Sequence, residues 1–232
     1  MLSLQNVTKD FQLDENTRIT PVRNVTLDIG PGELIVIIGR SGTGKTTLLN
    51  LAAGLIRPTS GRVTVDGRDL AAMTDQELSQ LRTRTIGFVF QFPSLLSSFT
   101  VLENIAMPAH FVTGNGHREV RRRAEEILGL MGLADKKNVY PRQLSAGEQK
   151  RVVISRSLIN DPQIVLADEP TSDLDSKTER EVMALLKEVN ARGVAFLMVT
   201  HNLQLLPFAT RAFEMENGAL KEVTGSRRAH GA

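Results

Sequence analysis

No cysteine occurs in the 232 residues, which removes disulfides and thiolate metal sites and is compatible with a reducing compartment. Long apolar runs are missing too: stretches such as Leu34 to Ile38 and Val194 to Val199 fall far short of the ~20 residues a helix needs to cross a bilayer. Neither sign of charge dominates. Lys and Arg number 28 against 26 Asp and Glu, a formal charge of +2, too small a balance to argue for nucleic acid. The stretch from Met1 to Asp10 lacks the basic start and apolar run of a secretory signal, so the chain is expected to stay where it is made. If it serves a membrane process, it needs partners that span. What is present is a 41% hydrophobic content, enough for a substantial core, with 23% charged residues spread along the length, as in a folded globular protein rather than a disordered tail or coiled coil.

Leu34 to Ile38, Ile86 to Phe90, Ile164 to Ala167 and Ala195 to Val199 are nearly continuous apolar runs that predict strands covered on both faces, hence a mainly parallel α/β sheet. Leu2 to Val7, Val25 to Ile29 and Arg62 to Val65 predict a smaller antiparallel β lobe, with Asp66-Gly67 as its turn. From about Phe92 to Ile159 helical periodicity replaces the strand signal: Val120, Ala124, Ile127, Leu128 and Met131 share one helical face. This predicts a helical subdomain, about 92–159, inserted into a single domain over 1–222, followed by a flexible tail over 223–232. Arg121-Arg122-Arg123 in that helix is offset by Glu119, Glu125 and Glu126 and has no aromatic platform, so it reads as a solvated helix face.

The strongest single feature is Gly39-Arg40-Ser41-Gly42-Thr43-Gly44-Lys45-Thr46-Thr47, between a predicted buried strand and a helical pattern from Thr47 to Leu55. Glycines let backbone N–H groups converge on phosphate oxygens, and the helix N-terminus favours anions. Lys45 is placed to meet the β and γ phosphates, and the Thr46 hydroxyl to help hold Mg²⁺. The motif alone does not say which nucleotide. The strand Ile164 to Ala167 ends in Asp168-Glu169, two carboxylates at the carboxyl end of a strand, where ligands of open α/β sheets bind. Asp168 is assigned to the metal and Glu169 to the attacking water as general base; Pro170 fixes the turn that follows. Standing alone, such a pair would more often be a loop start or helix cap. Lys45 and Thr46 upstream reverse that.

At Leu144-Ser145-Ala146-Gly147-Glu148 the sequence resembles the signature of ATP-binding cassette (ABC) nucleotide-binding domains. The order of the other matches is similar to that family as well: Phe11, Gln91 after a strand, Ser172-Asp173-Leu174-Asp175 after the acidic pair, and His201 after the last buried strand. The resemblance runs from about Leu2 to Glu222. It implies a P-loop NTPase (RecA-like) fold, ATP and Mg²⁺ as ligands, and ATP hydrolysis. It also implies a head-to-tail dimer with a second copy of the chain or a similar ATPase subunit, each ATP held between the Gly39 to Thr47 loop of one and Ser145 to Glu148 of the other. Ser145 and Gly147 open a helix from Glu148 to Ile159, so a hydroxyl, backbone N–H groups and the dipole could face a phosphate; a plain helix cap is the other reading. By the same resemblance Phe11 stacks on adenine, Gln91 reaches Mg²⁺, and His201 contacts the γ-phosphate and helps position Glu169. Individually these three are weak signals, and Phe11 could equally be core. His110, His117 and His230 match no motif and read as surface residues. Ala146 stands where the family usually has glycine, Glu148 where glutamine is commonest, and Asn202 where aspartate is frequent; none of these removes a catalytic group.

Ile86 to Ala109, with its Leu102-Glu103-Asn104 and Met107-Pro108 elements, is similar to the group that includes lipoprotein-release, macrolide-efflux and cell-division ATPases. The resemblance implies that Phe92, Pro93, Leu95, Leu96 and Phe99 receive a helix of an integral membrane permease subunit, although each could be ordinary core. The leading expectation is the ATP-hydrolysing subunit of a transporter, cytoplasmic and peripheral on the inner face of the membrane through separate membrane subunits. The alternative is a regulatory ABC ATPase gating a cell-envelope or division complex without moving a substrate. A nucleic-acid-associated ABC ATPase is disfavoured, since there is no tandem cassette, coiled-coil insertion or basic face.

Overall fold

The computed structural model describes residues 1–14, 16–112 and 116–223. The predicted tail, apart from Val223, and His230 lie outside them. The chain divides into two compact units, Met1–Leu78 with Ala195–Ala232, and Ser79–Val194.

The first unit starts with β1 (Leu2–Gln12), β2 (Arg18–Ile29), β3 (Leu34–Ile38), α1 (Lys45–Ala52), β4 (Ser60–Val65) and β5 (Arg68–Asp69). Strands β2, β1, β4 and β5 lie side by side in that order, all antiparallel. Leu2 pairs with Ile29 and Val65, and Leu4 with Leu27 and Val63. All six are buried, so alternate positions of three strands form one apolar face, as the pleat requires. At the β4–β5 turn Asp66 and Gly67 have φ of 50° and 76°, both left-handed, as a two-residue hairpin turn needs.

The second unit is entered by α2 (Asp75–Thr85) and contains β6 (Ile86–Val89), α3 (Val101–Ala106), α4 (His117–Leu130), α5 (Ala146–Leu158), β7 (Ile164–Asp168) and α6 (Ser176–Ala191). Strands β6 and β7 pair in parallel, from Ile86 opposite Ile164 to Val89 opposite Ala167. A Cβ on Gly87 would lie 2.4 Å from the Ser157 carbonyl oxygen, so glycine is what lets α5 approach β6 so closely. Among the described residues no strand occurs between 92 and 159. The predicted face of α4 is buried at Val120, Ala124, Ile127 and Leu128, with Met131 just beyond. The run Arg121-Arg122-Arg123 is neutralised: Arg122 pairs with Glu119 and Glu126, Arg121 with Glu125, and Arg123 with Asp161. A solvated helix face is what results.

The chain then returns to the first unit with β8 (Ala195–Thr200), β9 (Arg211–Glu216) and β10 (Ala219–Glu222). Here the order is β10, β9, β3, β8, with β3 parallel to both β8 and β9. Every residue of β3 and β8 is buried, the consequence of apolar runs with no polar face. Helix α1 packs against β8 and β2, which fixes its N-terminus at the carboxyl ends of β3 and β8.

Candidate active site

In the first unit the loop from Gly39 to Gly44 joins β3 directly to α1. Its glycines are required by geometry. Gly42 and Gly44 have φ of 80° and 105°, and a Cβ on Gly44 would lie 1.9 Å from the Pro21 carbonyl oxygen. A Cβ on Gly39 would lie 2.7 Å from the Met215 carbonyl oxygen and 2.9 Å from Thr43 Oγ1. Lys45, only 8% exposed, donates from Nζ to the Gly39 carbonyl at 2.7 Å and the Arg40 carbonyl at 2.9 Å. Thr43 Oγ1 donates to the Arg40 carbonyl at 2.9 Å. The ammonium therefore lies inside the curve of the loop. Arg40, Ser41, Gly42 and Thr46 are exposed and Thr47 is half-buried. Gly44 supplies no capping side chain and no acidic residue stands in the first turn of α1, so the local field favours an anion.

The start of this loop is tied to β8: Gly39 N–H donates to the Thr200 carbonyl at 3.2 Å, and Ile38 is in register with Thr200. His201 follows Thr200 and is exposed, at the same sheet end as the loop. Asn202 N–H donates to Thr200 Oγ1 at 3.0 Å, and its side-chain oxygen accepts from Gln204 N–H at 2.9 Å. The residue at the position where the family frequently has aspartate is thus a turn cap. Phe11 is half-exposed on β1 under the Lys9 ammonium, 4.9 Å from the ring centroid. It is a surface aromatic, not a core residue.

In the second unit β7 ends at Asp168. Asp168 and Glu169 are 7% and 8% exposed, a high degree of burial for carboxylates. Glu169 has φ of 48°, a left-handed conformation that a non-glycine residue holds only where its surroundings enforce it. Its carbonyl oxygen accepts from Ser172 N–H at 3.2 Å, Ser172 Oγ at 3.1 Å and Lys150 Nζ at 3.3 Å. Asp175 is the N-cap of α6, accepting from the N–H groups of Lys177 and Thr178 at 3.0 and 3.1 Å. The bond from Thr178 Oγ1, and after it these two N–H bonds, hold its carboxyl below the ordinary aspartate range.

Ser145 caps α5, which starts at Ala146, two residues before the predicted Glu148. Its Oγ accepts from Glu148 N–H at 3.3 Å, while Ser145 N–H donates to Glu148 Oε2 at 2.8 Å, a reciprocal capping box. Glu148 at this place is a capping partner rather than a foreign charge. Ser145 and Ala146 stay exposed, whereas Gly147 is buried, because a Cβ there would lie 2.4 Å from Thr178 Cγ2. Within this unit, then, Gly147 lies where the starts of α5 and α6 meet, and a larger residue there would have to displace the Thr178 methyl. The Ser145 N–H bond holds the Glu148 carboxyl below the usual glutamate range against the opposing effect of burial. A carboxyl lowered on folding contributes stability above its unfolded pKa and loses it as pH falls through the lower folded value. Glu148→Gln should therefore remove up to about 1 kcal/mol at pH 7 and much less near pH 3, measured by urea unfolding at both values.

Gln91 is exposed just beyond β6, and its carbonyl accepts from Lys150 Nζ at 2.7 Å. Beyond it Phe92 is 71% exposed, with Leu96 and Phe99 also exposed and Pro93 and Leu95 half-buried; none of the five is core. His110 and His117 are exposed. Two cations on α5 hold this segment: Lys150 at Gln91, and Arg156, which donates to the Pro93 and Ser94 carbonyls at 3.1 and 2.9 Å. Sequence reasoning missed both. Their one signal is position, since Lys150 falls in the buried row Gly147, Lys150, Ile154, Leu158. Burial pushes the Lys150 ammonium below its ordinary pKa, opposed by the carboxylates of Asp173, Glu169 and Asp168.

A strand–glycine loop–helix that favours an anion, and a buried acidic pair at a strand end, are the parts of a P-loop hydrolase. Comparison with known proteins agrees. The family model described as ABC transporter matches residues 22–172. An uncharacterised ABC transporter ATP-binding protein of Thermotoga maritima is 40% identical over 223 residues, 96% of this chain and 94% of that protein. The dimeric ATP-binding cassette MJ0796, solved in a post-hydrolysis state with ADP and phosphate bound, is 40% identical. It superimposes with a TM-score of 0.90 over 99% of this chain and 100% of that one. CbiO1 of Clostridium perfringens, part of the CbiONQ transporter complex, is 28% identical with a TM-score of 0.84 over 95% of this chain and 86% of that one. The fold is that of a P-loop NTPase, and the chain belongs to the ABC transporter family as an ATP-binding ATPase subunit.

Proposed function

We propose that the chain binds Mg-ATP between two copies of itself, or between itself and a similar ATPase subunit, and that closure and hydrolysis drive transport or extrusion by separate membrane subunits. The observation that carries this is the Gly39 to Thr47 loop, whose glycines are each demanded by φ or by close backbone approach and whose ammonium is already centred. On ATP binding Lys45 exchanges its two carbonyl partners for β- and γ-phosphate oxygens, and the N–H groups opening α1 take the rest. Phe11, a surface aromatic with a cation beside it, stacks on adenine. Hard oxygen donors, the exposed Thr46 hydroxyl, the buried Asp168 carboxylate and the exposed Gln91 amide, fit Mg²⁺; when bound, the ion neutralises phosphate charge. Glu169 accepts the proton of the attacking water, and His201 meets the γ-phosphate and helps place that water.

Ser145 to Glu148 of the second copy complete the site. Exposure of Ser145 and Ala146 at a helix start supports this, as does the dimeric state of the similar cassette. Among the described residues no helix is long and apolar enough to cross a membrane, so coupling passes to other chains. Exposed Phe92, Leu96 and Phe99 beside Gln91 supply the apolar surface for them, and the CbiO1 likeness supports the arrangement. The chain then works on the cytoplasmic face, peripheral to the membrane. Each site needs two copies, so the rate per chain should rise in proportion to protein concentration at low concentration. Steady-state ATPase assays over a dilution series test this. A rate per chain independent of concentration in a monodisperse monomer contradicts the shared site.

A further inference from the structure

Lys150 carries a charge into the second unit, 4% exposed, and the mechanism above gives it no task. An ammonium has three N–H donors, and three acceptors face this one: the Gln91 carbonyl at 2.7 Å, Ser172 Oγ at 3.2 Å and the Glu169 carbonyl at 3.3 Å. Gln91 and Glu169 lie just beyond the carboxyl ends of the paired parallel strands β6 and β7. One side chain thus ties together the two segments that leave this sheet end. Glu169 is also the residue held in a left-handed conformation, and Lys150 is one of the donors on its carbonyl. An apolar side chain would fill this volume without the desolvation cost of a buried charge, so filling space does not explain lysine here.

We infer that Lys150 is a positioning residue for hydrolysis: it locks the main chain of Glu169 to that of Gln91, so that the general base and the segment leading to the exposed apolar surface keep one relative placement. Arg156, on the same helix and bound to Pro93 and Ser94, extends the hold along that segment. The inference rests on Glu169 being the base, as proposed above.

The test is Lys150→Met in the full chain, beside Lys150→Gln, which keeps N–H donors at a shorter reach, and Glu169→Gln. ATP turnover, KM, nucleotide affinity by fluorescence titration and melting temperature are measured for each. The expected result is a fall in kcat of about tenfold or more in Lys150→Met, since small misplacements of a reacting group cost this much. KM and ATP affinity should stay within about threefold, and Lys150→Gln should recover part of the turnover. Unchanged kcat in Lys150→Met, with Glu169→Gln inactive, overturns the inference and leaves the base assignment standing. Loss of kcat and ATP affinity together, in step with the folded fraction, makes Lys150 structural and also overturns it. Normal turnover in Glu169→Gln removes the base assignment and this inference with it. If Lys150→Met does not fold, the same separation of kcat from KM is read from Lys150→Gln.

Discussion

Glu169→Gln is expected to lower ATP turnover at least about a hundredfold, the lower end of what a positioned general base contributes, while ATP binding is kept and the ATP-bound dimer becomes more persistent. The substitution keeps side-chain shape and removes the ability to accept a proton. It leaves alone three bonds at this place in the chain, because Ser172 N–H, Ser172 Oγ and Lys150 Nζ all bond to the Glu169 carbonyl. Glutamine meets the φ of 48° with the same Cβ, so the backbone cost carries over unchanged. Persistence of the dimer follows from the proposed cycle: ATP favours the closed state by binding it better, and only hydrolysis removes that preference. Single-turnover assays and size-exclusion chromatography in Mg-ATP measure the two parts. Wild-type turnover in the variant would remove Glu169 from the chemistry; a dead variant that stays monomeric would place the closing energy in the membrane subunits instead.

How far the sequence was legible depended on whether a segment's chemistry was local. Strands β3, β6, β7 and β8 match their apolar runs to within a residue; β3, β7 and β8 are buried on both faces and so have no polar positions to confuse the pattern, whereas β6 is legible by its apolar content although Ile86 and Phe88 are only half-buried. Strands β9 and β10 carry charged residues at Arg211, Glu214, Glu216, Lys221 and Glu222 and were not read as strands. Yet Asn217-Gly218 between them, with φ of 49° and 82°, is a hairpin signal that was there to find. The far halves of β1 and β2 are polar and were missed for the same reason. The start of helix α6 is masked in the sequence because Asp175 belongs to the acidic motif and also caps the helix that follows. In the candidate site the order of elements was legible, since strand, glycine loop and helix are contiguous. What was not legible depends on distant packing: the Pro21 carbonyl that demands Gly44, the Thr178 methyl that lies against Gly147, and the three acceptors around Lys150.

Gly44→Ala should be the most damaging single methyl in the loop, and comparison with Gly42→Ala isolates why. Both glycines are left-handed, at φ of 105° and 80°, so each alanine incurs about 1–2 kcal/mol for that backbone conformation. Around Gly42 a Cβ meets nothing within 4 Å, and the cost ends there. At Gly44 the same Cβ lies 1.9 Å from the Pro21 carbonyl oxygen. That is backbone in β2 and cannot swing aside as a side chain can, so overpacking adds about 1–3 kcal/mol. A total on the order of 4 kcal/mol should lower the melting temperature by roughly 10 °C for a chain of this size, against a few degrees for Gly42→Ala. Relief of the overlap must come from moving the start of α1, where the N–H groups, Lys45 and Thr46 are placed for phosphate. Nucleotide affinity should therefore fall by about a hundredfold or more at Gly44, as expected when an anion loses several charge-assisted bonds together. Thermal unfolding and fluorescent-nucleotide titration of the two variants side by side give the answer. Equal losses at both positions would mean that φ alone decides, and that β2 yields to the methyl; a Gly44 variant that melts low but binds ATP normally would separate the packing of this loop from its phosphate chemistry.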